Sequence, residues 1–236
     1  MSGTDYTSDV LDGVSSASGA GSGGPGPAGG PGSAGGPASL RAEQVAQTRA
    51  ALVAAGRVLF GRDGFAATSV EDLAREARVT TGALYHHFPT KTKLFEAVFL
   101  IAHDELLAAA ADAAAGAPDE VESLGRAFDS FLDAMLEPDL QHIVIIDAPA
   151  VLGLARFTEL DERYAVAGIV AALDAAVAAG RLVVAEPETL ARLLLGSLTR
   201  GAMLIANSAE PAATRDEVAS TVRAMLAGFA AGSGSR

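Results

Sequence analysis

Apolar residues recur along this chain at helical rather than strand spacing. Leu52, Ala55, Gly56, Leu59 and Phe60 fall at i, i+3, i+4, i+7 and i+8, the stripe that one helix face buries. Gly61 and Gly64 predict the end of that helix. Thr68 is read as the N-cap of a second helix, with Glu71 three residues on completing a capping box. Val70, Leu73, Ala74 and Ala77 form its buried stripe. A break at Arg78-Val79 leads to Thr80-Thr81 and a third, short helix reaching His86 or His87. Phe88-Pro89 stops it, because proline disfavours the helical conformation in the residue before it. Thr90 then caps a longer helix with Leu94, Val98 and Ile101 inward.

The same period continues to the end. After the break Gly116-Ala117-Pro118, a helix carries Val121, Leu124, Phe128, Phe131, Leu132 and Met135 on one face and ends near Pro138. Ile143 to Ile146 is an apolar run that periodicity alone does not assign, and its helical surroundings make it a helix. Pro149 opens another segment, and a long helix is expected from about Thr158 to Ala179, ended by Gly180. Residues 187–207 and 214–230 read as two final helices. No strand alternation and no internal repeat occurs, so the predicted class is all-α.

Composition agrees. Half of the 236 residues are hydrophobic while aromatics make up 5%, which suits close-packed helices better than a β-sandwich. Cysteine is absent, which excludes disulfides, thiolate metal sites and thiol nucleophiles. The most apolar stretch, Val166 to Ala185, is interrupted by Asp174, Gly180 and Arg181, so no membrane span is expected. The start lacks the basic-then-apolar order of a signal peptide, which predicts a cytoplasmic protein. Residues 1–40 hold twelve Gly, eight Ser and four Pro and read as a disordered tail.

Charge divides the rest. The net charge is −12, yet residues 41–93 carry eight Lys or Arg against five Asp or Glu. Residues 94–236 carry nine basic against 21 acidic residues. One basic block inside an acidic protein suggests that one module meets a polyanion and the other does not. The chain is therefore divided at 1–40, 41–93 and 94–236.

Two short helices joined at Arg78-Val79 and braced by a longer one form a helix-turn-helix, whose second helix fits the DNA major groove. Leu84 and Phe88, four apart, are expected in the core, leaving Thr80, Thr81, Ala83, Tyr85 and His86 outward. Gly82 removes a side chain where backbone and DNA would meet. Tyr85, His87 and Lys91 offer donors to phosphates, while Thr81 and Ala83 are placed to touch base edges or a thymine methyl. Arg49, near the start of the first helix, joins the candidate contacts. The adjacent His86 and His87 point about 100° apart on a helix with no third ligand at the next turn, so no metal site is expected.

The stretch from Thr48-Arg49 through Leu94 resembles the DNA-binding domain of TetR-family transcriptional regulators. The resemblance rests on Phe60-x-x-x-Gly64-Phe65 ahead of Thr68-Ser69-Val70, then Leu73-Ala74-x-x-Ala77. It closes with Gly82-x-Leu84-Tyr85-x-His87-Phe88-x-x-Lys91-x-x-Leu94. By position it implies phosphate contacts from Thr68, Tyr85, His87 and Lys91, and base readout from Thr81, Ala83 and Tyr85. Two departures stand out. Arg78 occupies the turn where the family often has Gly, so a left-handed backbone there costs about 1 kcal/mol unless the arginine is used on a phosphate. Thr92 replaces the usual acid after the lysine.

The resemblance also implies that residues 94–236 form a helical regulatory and dimerisation domain. Candidate pocket residues are Phe128, Phe131, Met135, Ile146, Leu152, Phe157 and Tyr164, for an unidentified small-molecule effector. Asp147 is read first as the N-cap of the segment at Pro149, and His103, Asp104 and His142 as isolated solvated or packed residues. Leu190, Leu193, Leu194, Ser197, Gly201 and Leu204, with Val218, Val222, Met225 and Phe229, form two stripes. Doubled by symmetry, those stripes make a four-helix bundle. Phosphate-loop, H-E-x-x-H and G-x-S-x-G motifs are absent, so neither an enzyme nor a cofactor is expected. The expected function is a ligand-responsive regulator, a repressor, binding a palindromic operator as a homodimer. The rival is an all-α interaction module that no longer binds DNA.

Overall fold

The computed structural model describes residues 37–231, and almost all of them are helical. α1 (Pro37–Ala67) is kinked at Gly64, whose φ of 78° only glycine adopts without strain. α2 (Val70–Glu76), α3 (Thr81–His87) and α4 (Lys91–Ala114) follow. α5 (Glu120–Ala134) leads through α6 (Pro138–Leu140) into a π-helical turn, Gln141–Asp147, and α7 (Ala148–Leu152). α8 (Leu154–Ala178), α9 (Pro187–Ala206) and α10 (Pro211–Ala227) complete the chain. Among the described residues the one β-type pairing is an isolated bridge between Leu182 and Ala230.

Several boundaries differ from the sequence expectation. The tail was drawn to residue 40, but α1 begins at Pro37, a residue whose fixed φ suits a first helical turn. Residues 1–36 lie outside the described part. The cap of α2 is Ser69, not Thr68: Ser69 Oγ accepts from Asp72 N at 3.1 Å, and its hydroxyl donates to Asp72 Oδ2. Glu71 takes no part in the cap. Thr68 is buried, and its hydroxyl lies 2.8 Å from Gly64 O, closing the end of α1. The run at Ile143 is indeed helical, but in the wider π form.

The core of the N-terminal unit gathers Leu52, Phe60, Leu73, Leu84, Phe88 and Leu94, all fully buried. Phe60, Phe65 and Phe95 stack around one another with ring centroids 5.3–5.7 Å apart, joining α1 to α4. α4 then continues into the larger bundle and packs along α5. α9 has the length and mean hydropathy, 1.3 over its apolar window, of a membrane-crossing helix. Its Leu190, Leu194, Leu198, Ala202 and Ile205 are buried in the bundle, so it reads as a core helix. Gly125 on α5 leaves room for Arg223 of α10, since a Cβ there would meet Arg223 Nη1 at 2.7 Å. The guanidinium thereby reaches Asp129 and Glu122 at 2.5 and 3.0 Å and fastens α10 to α5.

Candidate nucleic-acid interface and helical cavity

The turn between α2 and α3 is a Schellman motif. Val79 N donates to Ala74 O and Arg78 N to Arg75 O, the pair of bonds that terminates a helix through one left-handed residue. That residue is Arg78, at φ 57°. A short polar break therefore fixes the angle between the two helices despite the missing glycine. Thr80 Oγ1 caps α3 by accepting from Ala83 N at 3.1 Å. Leu84 and Phe88 are buried, which turns the opposite face of α3 outward.

That outward face carries Thr81, Gly82, Tyr85 and His86, all exposed, with Ala83 and His87 half-buried beside them. Tyr85 is 51% exposed, large for an aromatic side chain with no visible structural partner there. Arg49 of α1 lies with its guanidinium 4.3 Å from the centre of the Phe88 ring, which sets a cation next to the end of α3. Burial, reinforced by His86 and Arg49, holds the pKa of His87 below the ordinary histidine value.

Two residues expected at phosphates sit differently. The buried hydroxyl of Thr68 faces the protein, so its side chain leaves the candidate set. Lys91 lies over the Phe65 ring and donates to Phe65 O at 2.8 Å and Thr68 O at 2.9 Å. Burial lowers its pKa, with Asp147 opposing that shift. Its ammonium braces the turn between α1 and α2, leaving one of three N–H groups for a further contact.

The N-terminal unit is tied to the bundle by polar links that sequence reading did not find. Asp147 stands at the N-cap position of α7 as expected but makes no capping bond with its side chain; instead its Oδ2 accepts from Phe65 N at 2.6 Å. His142 Nδ1 lies 2.6 Å from Gly61 O. Both partners come from the π-helical turn. Glu96 of α4, nearly buried, takes Arg156 Nη2 of α8 at 2.6 Å and Lys93 at 2.7 Å. These donors hold its pKa down against a burial that pushes it up. The pairs made by Asp147, His142 and Arg156 join residues 60 or more positions apart and leave no local signature.

Inside the bundle, α4, α5, α8 and α9 line a partly open cavity of about 260 Å³. Phe128 and Phe131 line it as expected. The other five candidates do not. Met135 and Phe157 are buried in the packed core, Ile146 is 46% exposed, and Leu152 and Tyr164 are half-buried outside the lining. The void exists because alanines at 110, 111, 114, 127, 165 and 172 meet there, too small to fill it. Large apolar side chains mark a packed core, whereas the space is made by small ones. His103 also lines it, packed as expected but not isolated, since its ring pairs with Asp161 at 3.1 Å.

The last two helices divide their apolar stripes. Leu190, Leu194 and Gly201 face the chain's own core, and Leu193, Leu204, Met225 and Phe229 are exposed. Leu193, Ser197, Leu204 and Met225 line an open groove between α9 and α10.

Comparison with known proteins agrees with this architecture. Residues 52–98 match the family described as bacterial regulatory proteins, tetR family. Residues 121–229 match the tetracyclin repressor-like C-terminal domain. The crystal structure of a TetR-family transcriptional regulator from Pectobacterium atrosepticum is 33% identical, with a TM-score of 0.73. That similarity covers 80% of this chain and 97% of that one. The transposon Tn10 TetC protein of Escherichia coli is 26% identical over 157 residues, 65% of this chain and 78% of that protein. The HTH-type transcriptional repressor KstR2 of Mycobacterium tuberculosis is 28% identical over 123 residues, 52% of this chain and 62% of that protein. The exposed face of α3, the turn that sets it and the bundle behind it thus have one explanation: the chain belongs to the TetR family and is a DNA-binding transcriptional regulator, not an enzyme.

Proposed function

We propose that the chain is a cytoplasmic repressor that binds a palindromic operator as a homodimer and is released by a small molecule held in the α4–α5–α8–α9 cavity. The observation that carries this reading is the polar connection between the two ends of that path. The π-helical turn holds Gly61 and Phe65 of α1 through His142 and Asp147, and the same turn packs against α4 and α9, two walls of the cavity. A ligand that favours one packing of those walls biases the position of α1, and with it α3, through its different affinity for the two arrangements.

In this reading residues 41–93 are the DNA-binding unit and residues 94–236 the regulatory unit. Thr81, Gly82, Ala83 and Tyr85 meet bases or the backbone close to them. Arg49, Arg78, Thr80, His86, His87 and the remaining N–H of Lys91 meet phosphates. The exposed Leu193, Leu204 and Met225 support a two-fold pairing of α9 and α10, because apolar side chains gathered along a groove favour a partner over water. A two-fold dimer presents two α3 helices and therefore requires a palindrome. The reading is tested by selecting bound sequences from random duplex DNA, with Tyr85→Ala as control. A palindromic motif that vanishes with the variant is expected. A folded protein that enriches no sequence overturns the operator reading.

A further inference from the structure

The cavity has one polar end. His103 from α4 and Asp161 from α8 line it there, with Thr199 of α9 next to Asp161 outside the lining, while the rest of the wall is built mainly from alanine, leucine and phenylalanine, with the Ser123 hydroxyl turned to Ala114 O. Among the described residues lining it, no lysine or arginine occurs. His103 Nε2 lies 3.1 Å from Asp161 Oδ1. The Thr199 hydroxyl lies 3.4 Å from Asp161 Oδ2 but 3.0 Å from Leu195 O. A hydroxyl has one proton to give, and the carbonyl is the nearer acceptor. The carboxylate thus holds about four lone-pair sites and one well-placed donor. A second polar atom of the group, His103 Nδ1, is buried with no hydrogen-bond partner. The Asp161 side chain, 17% exposed, lines the void and keeps acceptor capacity that a donor placed there can use.

We infer that this cavity takes a small apolar molecule whose head group donates hydrogen bonds, an alcohol, phenol or amine, and that it rejects carboxylates and phosphates. The inference rests on the cavity being the effector site proposed above. Asp161 supplies the acceptor, and its negative charge repels an anionic head group. The twelve residues of α4 from His103 to Ala114 span about 16 Å, so the His103–Asp161 end and the alanine-lined end are well separated. An elongated molecule with its donor at one tip fits that layout. The volume lies just under the usual range for drug-sized ligands, which favours a compact molecule.

The test is calorimetric titration of the full chain with 4-butylphenol, 4-butylbenzylamine, 4-butylbenzoate and butylbenzene. The phenol or the amine should bind roughly 10- to 100-fold tighter than butylbenzene, as one hydrogen bond to a charged acceptor provides. The benzoate should bind more weakly than butylbenzene. Comparing phenol with amine separates a neutral donor from a cationic one. Asp161→Leu should abolish the advantage of the donor probes over butylbenzene, with thermal unfolding as the check on folding. If that variant unfolds, Asp161→Asn serves instead and should cut the amine's advantage more than the phenol's. Equal binding of phenol and butylbenzene, or preferential binding of the benzoate, overturns the inference while the cavity remains a ligand site. Failure of all four probes removes the effector site itself.

Discussion

The carboxylate of Asp147 accepts a hydrogen bond from the backbone N–H of Phe65 at 2.6 Å, joining positions 82 residues apart. Phe65 sits just after the Gly64 kink, where the chain leaves the regular part of α1 and its N–H has no carbonyl one turn back to use. The bundle thus satisfies a donor that the DNA-binding unit cannot satisfy itself. Asp147→Leu should destabilise the protein by about 1–3 kcal/mol, the cost of stranding a partly buried N–H, measured by denaturant unfolding. It should also weaken the effect of any effector on operator affinity. An unchanged effector response in a folded Asp147→Leu protein would show that the coupling runs elsewhere.

Lys91 is expected to have two measurable roles. Lys91→Met keeps the stem against the Phe65 ring but loses the bonds to Phe65 O and Thr68 O. Stability should fall by about 1–3 kcal/mol. If the third N–H meets a phosphate, the slope of log affinity against log salt should shrink by about one per subunit. An unchanged slope with lowered stability leaves Lys91 as a brace alone.

At Arg78 stability and binding should move in opposite directions. Its φ of 57° favours glycine, so Arg78→Gly should stabilise the fold by about 1 kcal/mol. The same change removes a cation beside α3 and should lower operator affinity and its salt dependence. A gain in stability with unaltered binding would mean that the strained arginine does not touch DNA.

The pH response of His87 follows from its environment. Its pKa lies below 6.5 in the folded chain, so the unfolded state holds more protons between the two values. Native stability therefore falls as pH drops below about 6.5. If His87 meets a phosphate as proposed, that charge favours the protonated ring and DNA binding takes up a proton. Operator affinity should rise as pH is lowered from about 7.5 to 6, by at most about tenfold per unit for one proton. His87→Gln should flatten that rise in anisotropy titrations.

Pairing through α9 and α10 predicts that Leu193→Glu combined with Leu204→Glu yields a monomer in sedimentation velocity, because both side chains are exposed in the single chain. Gly201→Leu should act differently. A Cβ at Gly201 would already stand 2.5 Å from Val218 Cγ1, so this change strains the packing inside one chain. A cost of about 1–3 kcal/mol is expected from such overpacking.

What the sequence determined by itself is local. The period of its apolar residues specified helices, Thr80 and Thr90 carried their caps, and Pro89 stopped α3, because each of these effects acts within a turn or two. The outward face of α3 was legible for the same reason: burying Leu84 and Phe88 fixes where Tyr85 must point. The left-handed conformation at Arg78 is the one the family resemblance implies, through the glycine that often fills that turn. Tertiary structure decided the remainder. Thr68 and Ser69 are both hydroxyl residues at a helix start, and only the packing of α1 against α2 settles that one is buried and the other caps. Asp147, His142 and Asp161 look like isolated polar residues until helices distant in sequence bring Phe65, Gly61 and His103 to them. The cavity is the clearest instance. No single alanine marks it, because a void is a property of several helices meeting with too little side-chain volume between them.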